Sequence, residues 1–170
     1  APGPPLWLDT STAFIGREDD LADLIDAVAT NRVTVVTGPG GVGKSRLAAE
    51  ALLPLHERLG LPIAVAELAT VRTGQAVRAV ATSLRLRIGS DDLAELVEYL
   101  AAVPHLLVLD NCEHLREEVV GAVTMLARRC PATHVLATSR RRLGVSSERV
   151  LPLEPLRVPD PHAPAASKRG

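Results

Sequence analysis

The sequence predicts a three-layer α/β fold, a mostly parallel central sheet with helices on both faces. Three observations point there. Short β-branched or leucine-rich runs recur along the chain, stretches with helical apolar spacing separate them, and a glycine-rich turn joins the first run to the helix after it.

The elements follow in order. Asp19 to Ala29 places Leu21, Leu24, Ile25 and Val28 on one stripe of an amphipathic helix. Val33 to Thr37 (VTVVT) reads as a buried strand. Lys44 to Leu55 carries Leu47, Ala48, Ala51 and Leu52 on one helical face, with Pro54 as the stop or just before it. Ile63 to Leu68 is a second strand. Helices are expected near Gln75 to Leu84 and Asp91 to Ala102, the latter capped by Ser90 with Leu93, Leu96, Val97 and Leu100 facing inward. His105 to Leu109 is a third strand, Glu117 to Arg129 a helix, Val135 to Thr138 a fourth strand and Val150 to Leu153 a last short one.

The turn after the first strand carries chemistry. Gly38, Pro39, Gly40, Gly41, Val42, Gly43, Lys44 and Ser45 match GxxxxGK[ST] in full, between a strand and a helix, where a phosphate-binding loop must lie. Glycines let backbone N–H groups form a nest for phosphate oxygens, and the following helix adds its positive end. Lys44 is expected to reach the β- and γ-phosphates and the Ser45 hydroxyl to ligate Mg²⁺, which makes the fold a three-layer P-loop NTPase.

Such a site needs a carboxylate at the end of a neighbouring buried strand, and Leu106 to Asp110 (LLVLD) supplies Asp110 as the second Mg²⁺ residue. The alternative for Asp110 is a helix N-cap. Position 111 is Asn, which cannot act as a general base, so turnover should be slow. Glu113 is either that base or a first-turn Glu favoured by the helix dipole. The fourth strand delivers Thr138, Ser139 and Arg140 to the same carboxyl edge, where Arg140 is a γ-phosphate sensor or an ordinary surface Arg.

Composition narrows the rest. A chain of 170 residues that is 46% hydrophobic can bury one core. A net charge of −1 and 2% aromatics argue against direct nucleic-acid binding. No apolar run approaches a membrane span and no leader pattern opens the chain, so no membrane contact and a cytoplasmic location are expected. Cys112 and Cys130 lack metal-ligand spacing and read as two free buried thiols. Residues 1–12 read as a linker, 13–156 as the nucleotide-binding domain, and 157–170 as a disordered tail or the truncated start of a helical domain.

Four motifs, FIGRE at Phe14 to Glu18, GPGGVGKSRLA at Gly38 to Ala48, LLVLDNCEHL at Leu106 to Leu115 and ATSR at Ala137 to Arg140, resemble the STAND class of P-loop ATPases. The likeness is to the NB-ARC-like domains of large bacterial transcriptional regulators, and the Arg-rich, Ala-rich composition fits a GC-rich bacterial genome. LPLEPL at Leu151 to Leu156 looks like the lead-in to the helical domain that follows in such proteins. The resemblance implies that Phe14, Ile15, Gly16 and Arg17 lie on the adenine side and that Arg46 belongs to the nucleotide site. It strengthens Arg140 as sensor and implies ADP as resting ligand and ATP as trigger. Its partners would be the neighbouring domains of a longer protein and a homo-oligomer in the ATP state. A non-hydrolysing interaction domain is one alternative. A small-molecule kinase is another, although no Arg-rich lid is evident, and a GTPase lacks its guanine-reading motif.

Overall fold

The computed structural model describes residues 16–89 and 92–156. Its elements are α1 (Glu18–Thr30), β1 (Val33–Thr37), α2 (Lys44–Leu59), β2 (Ile63–Glu67), α3 (Ala76–Ser83), α4 (Asp92–Ala102), β3 (Leu106–Asp110), a 3₁₀ turn (Glu113–Leu115), α5 (Arg116–Arg129), β4 (His134–Ser139) and β5 (Arg149–Pro152). The expected linker, the Ser90 cap and the tail from residue 157 lie outside the described residues. So do Phe14 and Ile15.

The five strands run in the order β2-β3-β4-β1-β5, and each neighbouring pair is parallel. One expectation is corrected here. The strand carrying Asp110 does not neighbour the strand before the glycine-rich loop, because β4 lies between them.

Alternation along the strands sorts side chains onto two faces. Val36, Leu106, Val108 and Leu136 pack with Leu24 and Val28 of α1 and Leu47, Leu52 and Leu55 of α2. Val35, Leu107, Leu109, Val135 and Ala137 pack on the other face with Val80 of α3, Leu96, Val97 and Leu100 of α4, and Val123 and Leu126 of α5. The same period decides where the strand ends point. Glu67 follows Ile63 and Val65, Asp110 follows Leu106 and Val108, and Thr138 follows Leu136, so all three lie on the α2 face at the carboxyl edge.

Pro54 does not stop α2, which continues to Leu59. The lost N–H and the ring disfavour a helix interior. Burial outweighs that cost: Leu55 is fully buried and Leu59 packs on the α1–α2 cluster. The stop comes from Gly60, whose left-handed φ of 67° lets its N–H bond the His56 carbonyl. No helix among the described residues is long and apolar enough to cross a membrane.

Candidate functional site

The loop between β1 and α2 is held by close packing and by backbone freedom. A Cβ on Gly38 would stand 2.7 Å from the Leu153 carbonyl oxygen, so only glycine lets the chain after β5 pass there. Gly43 caps α2 at φ 103°, a left-handed conformation that L side chains rarely adopt. The first turn of α2 contains no acidic side chain, so its positive end faces the loop uncompensated. Lys44 is buried, and its Nζ donates to the carbonyls of Gly38 (2.7 Å) and Pro39 (2.9 Å). Burial lowers its pKa most. Glu113 acts against that, Arg140 adds to the lowering, and Asp110 opposes it.

Asp110 is fully buried at the end of β3. Ser45 Oγ lies 2.9 Å from both of its carboxylate oxygens, and the Thr138 hydroxyl donates to Oδ1. Thr138 is therefore the polar link across the intervening strand β4, and its Oγ1 also accepts the Asn111 N–H at 2.9 Å. Asn111 takes the left-handed region at φ 58°, which asparagine tolerates better than most residues. Its Nδ2 donates to Asp110 Oδ2 (3.1 Å) and to Glu67 Oε1 (3.1 Å). Glu67, paired in register with Asp110, also accepts the Ala69 N–H at 2.8 Å.

Burial, then the hydrogen bond with Glu67, pushes the Asp110 carboxyl up to about 7, against the lowering effect of the Thr138 and Ser45 hydroxyls. The folded chain thus keeps a proton on Asp110 up to about pH 7, whereas the unfolded chain releases it near the ordinary value of 3.8. Between those values the native state binds more protons, so this group's contribution to stability falls as pH rises and levels off above 7. Thermal denaturation without nucleotide or Mg²⁺ should show a midpoint that drops from pH 5 to pH 8, and Asp110→Asn should flatten the drop. A slope unchanged by the substitution would assign it to other groups.

A cleft of about 740 Å³ opens above this constellation, lined among others by Gly40, Lys44, Ser45, Asn111, Glu113 and Arg140. Gly41, Gly43 and Arg46 line it too, and Arg46 Nε also donates to Glu50 Oε1 at 3.1 Å. The Arg140 guanidinium lies over Gly40, where an added Cβ would meet Nη2 at 3.1 Å. Glu113 opens the 3₁₀ turn and lines the same cleft, as does His114, which the sequence did not mark.

Arg17 is held by partners within the chain. It is buried, and its guanidinium donates to the carbonyls of Glu154 (2.7 Å) and Val42 (3.0 Å) and pairs with Asp20 at 3.1 Å. Val42 packs on the α1–α2 cluster. Gly16 is exposed at φ 81°, with the Leu156 side chain against it. Two carboxyl-edge residues escaped the sequence reading as members of the site, Glu67 and Thr138. The rule that found Asp110, a polar residue at the end of a buried strand, could have found Thr138.

The donor set suits a hard cation. Ser45 and Asp110 present only oxygen, and a buried carboxylate held by hydroxyls beside an anion-binding loop fits Mg²⁺ together with phosphate oxygens.

Comparison with known proteins shows the family and the fold. Residues 13–138 match the model of the AAA ATPase domain family. An uncharacterized protein of Mycobacterium tuberculosis is 32% identical over 148 residues, covering 85% of this chain and 38% of that protein. A protein of the same organism, named as an HTH-type transcriptional regulator, is 35% identical over 124 residues, covering 71% of this chain and 14% of that one. The chain thus spans well under half the length of these relatives. Among solved structures, the STAND protein with a tetratricopeptide repeat sensor from Pyrococcus horikoshii superposes with a TM-score of 0.59 at 20% identity, over 85% of this chain and 24% of that one. Cdc6p from Pyrobaculum aerophilum gives 0.64 at 16%, over 88% and 47%. Both share the parallel sheet with flanking helices, and the family match spans the glycine-rich loop, Asp110 and Thr138. The chain belongs to the AAA ATPase domain family.

Proposed function

We propose that this chain is the ATP- and ADP-binding switch domain of a multidomain transcriptional regulator, with slow Mg²⁺-dependent hydrolysis. One observation carries the reading: Lys44, Ser45 and Arg140 line a single cleft, and Ser45 is hydrogen-bonded to the buried Asp110. Loop amides and the end of α2 would bind the phosphates, and Lys44 would exchange its two carbonyl partners for phosphate oxygens. Ser45 and Asp110 would hold Mg²⁺, which when bound neutralises phosphate charge. Arg140, directly after β4, would contact the group that ATP has and ADP lacks, and that differential contact is what lets a ligand shift a conformational equilibrium.

The regulator assignment draws support from the mycobacterial relative named as an HTH-type transcriptional regulator. In this reading residues 13–156 form the nucleotide-binding unit. Its partners are neighbouring domains of the same protein and a second copy in the ATP state, and contact with nucleic acid falls to other parts.

The test is calorimetric titration with ATP and ADP in Mg²⁺, for the wild type and Arg140→Ala. The substitution should weaken ATP about tenfold or more, the worth of one charge-assisted hydrogen bond, and ADP little. Equal losses for both would remove Arg140 as sensor. A non-hydrolysing binding domain is the second reading, favoured by the asparagine at position 111. Multiple-turnover phosphate release separates the two.

A further inference from the structure

Asn111 stands directly after Asp110, where a carboxylate would be the simplest source of a base for water, and an amide cannot take a proton. A carboxylate nevertheless arrives there from the next strand. Glu67 closes β2, Asp110 closes β3, and the two are register partners in the parallel ladder. By strand alternation both side chains lie on the α2 face, the face on which Ser45 meets Asp110.

The Glu67 side chain is held rather than left loose. Its Oε1 accepts the Ala69 N–H at 2.8 Å, and the Asn111 amide reaches Oε1 at 3.1 Å and Oε2 at 3.3 Å. The orientation of that amide follows from chemistry: its neighbours are the carboxylates of Glu67 and Asp110, and only its NH₂ end can donate to them. Ala69 and Asn111, the two residues that hold Glu67, themselves line the cleft beside Lys44 and Ser45. Glu113 lines the cleft as well, but it begins a 3₁₀ turn and its charge bears on Lys44.

We infer that Glu67 is the carboxylate that orients and deprotonates the attacking water, with Asn111 as the residue that positions it. This rests on the nucleotide-binding reading above. The water oxygen forms a bond to the γ-phosphorus, and the bond from that phosphorus to the β,γ-bridging oxygen breaks, its electron pair leaving with ADP. The water proton passes to Glu67 and then to the released phosphate, so ATP and water give ADP and inorganic phosphate. Asn111 is then a fixed amide that aims a base supplied by the neighbouring strand.

The experiment uses the whole 170-residue chain and the variants Glu67→Gln and Glu113→Gln. Gln at 67 keeps an oxygen acceptor for the Ala69 N–H, so its denaturation midpoint serves as the folding control. Calorimetry reads the affinity for ATP with Mg²⁺. Quench-flow reads a single turnover. A third readout needs no turnover: binding of ADP with aluminium fluoride, which mimics the phosphoryl group in transfer and recruits the attacking water.

Glu67→Gln should bind ATP within about threefold of wild type, lose roughly 100-fold or more in single-turnover rate, and lose its preference for ADP with aluminium fluoride over ADP. Glu113→Gln should lose far less single-turnover rate than Glu67→Gln. The inference is overturned if Glu67→Gln turns over normally, if Glu113→Gln is the variant that stops, or if Glu67→Gln loses ATP affinity in step with rate. A wild-type chain that binds ATP and never hydrolyses it overturns the inference and leaves the binding reading standing. Wild type that is folded and binds no nucleotide overturns both.

Discussion

Replacing Lys44 with alanine is expected to weaken both ATP and ADP by roughly 10- to 150-fold, the equivalent of about 1.5–3 kcal/mol for hydrogen bonds to a charged group. Lys44 lines the cleft and its ammonium is already held by the Gly38 and Pro39 carbonyls, so little side-chain freedom remains to be lost when phosphate arrives. Binding would trade neutral acceptors for anionic ones. The denaturation midpoint of the ligand-free chain should not fall, because burial disfavours the Lys44 charge and truncation removes that charge. Calorimetric titration and a thermal scan of the same preparation check both halves. Unchanged affinity in a folded variant would take the glycine-rich loop out of the binding site.

Leu136→Ala is expected to cost about 2–5 kcal/mol of stability, a large share of the roughly 5–15 kcal/mol that holds a typical domain together. Leu136 is fully buried in the middle of β4, beside Thr34 of β1 and Val108 of β3, and packs into the cluster formed with α1 and α2. Elements on three sides fix the cavity walls, so collapse can relieve little of the void. Leu53→Ala serves as the comparison, since Leu53 is 48% exposed on α2 and its loss should stay within about 0.5 kcal/mol. Urea midpoints for the two variants should separate clearly. Similar midpoints would mean that β4 is not the centre of the sheet.

Much of this architecture was legible in the residues, for reasons that individual elements make plain. VTVVT and LLVLD have too many β-branched or leucine residues in too short a span to be read otherwise, and both are buried along their whole length. The glycine-rich loop and its strand and helix neighbours fall where the pattern requires. The order of the strands was not legible, because periodicity reports which face a residue takes and says nothing of which strand lies beside it. Glu67 shows the cost. In IAVAE it closes an alternating strand like any solvated terminal residue, and only the β2–β3 pairing sets it beside Asp110. Pro54 failed as a stop signal because a local preference met a buried face that continued beyond it. Arg17 was assigned to the adenine side by likeness alone, and two of the partners that hold it are backbone carbonyls, which carry no signature in a sequence.

The placement of Arg17 has a mechanical consequence. One guanidinium grips the glycine-rich loop at Val42 and the segment leaving β5 at Glu154, while the Leu153 carbonyl rests against Gly38. The loop cannot shift without either breaking those bonds or dragging the outgoing chain with it. Whatever free energy a ligand spends in reshaping the loop is therefore felt as torque on residues 153–156. Reciprocity requires the converse: anything that fixes the direction of that outgoing segment must alter the loop's affinity for its ligand by the same factor.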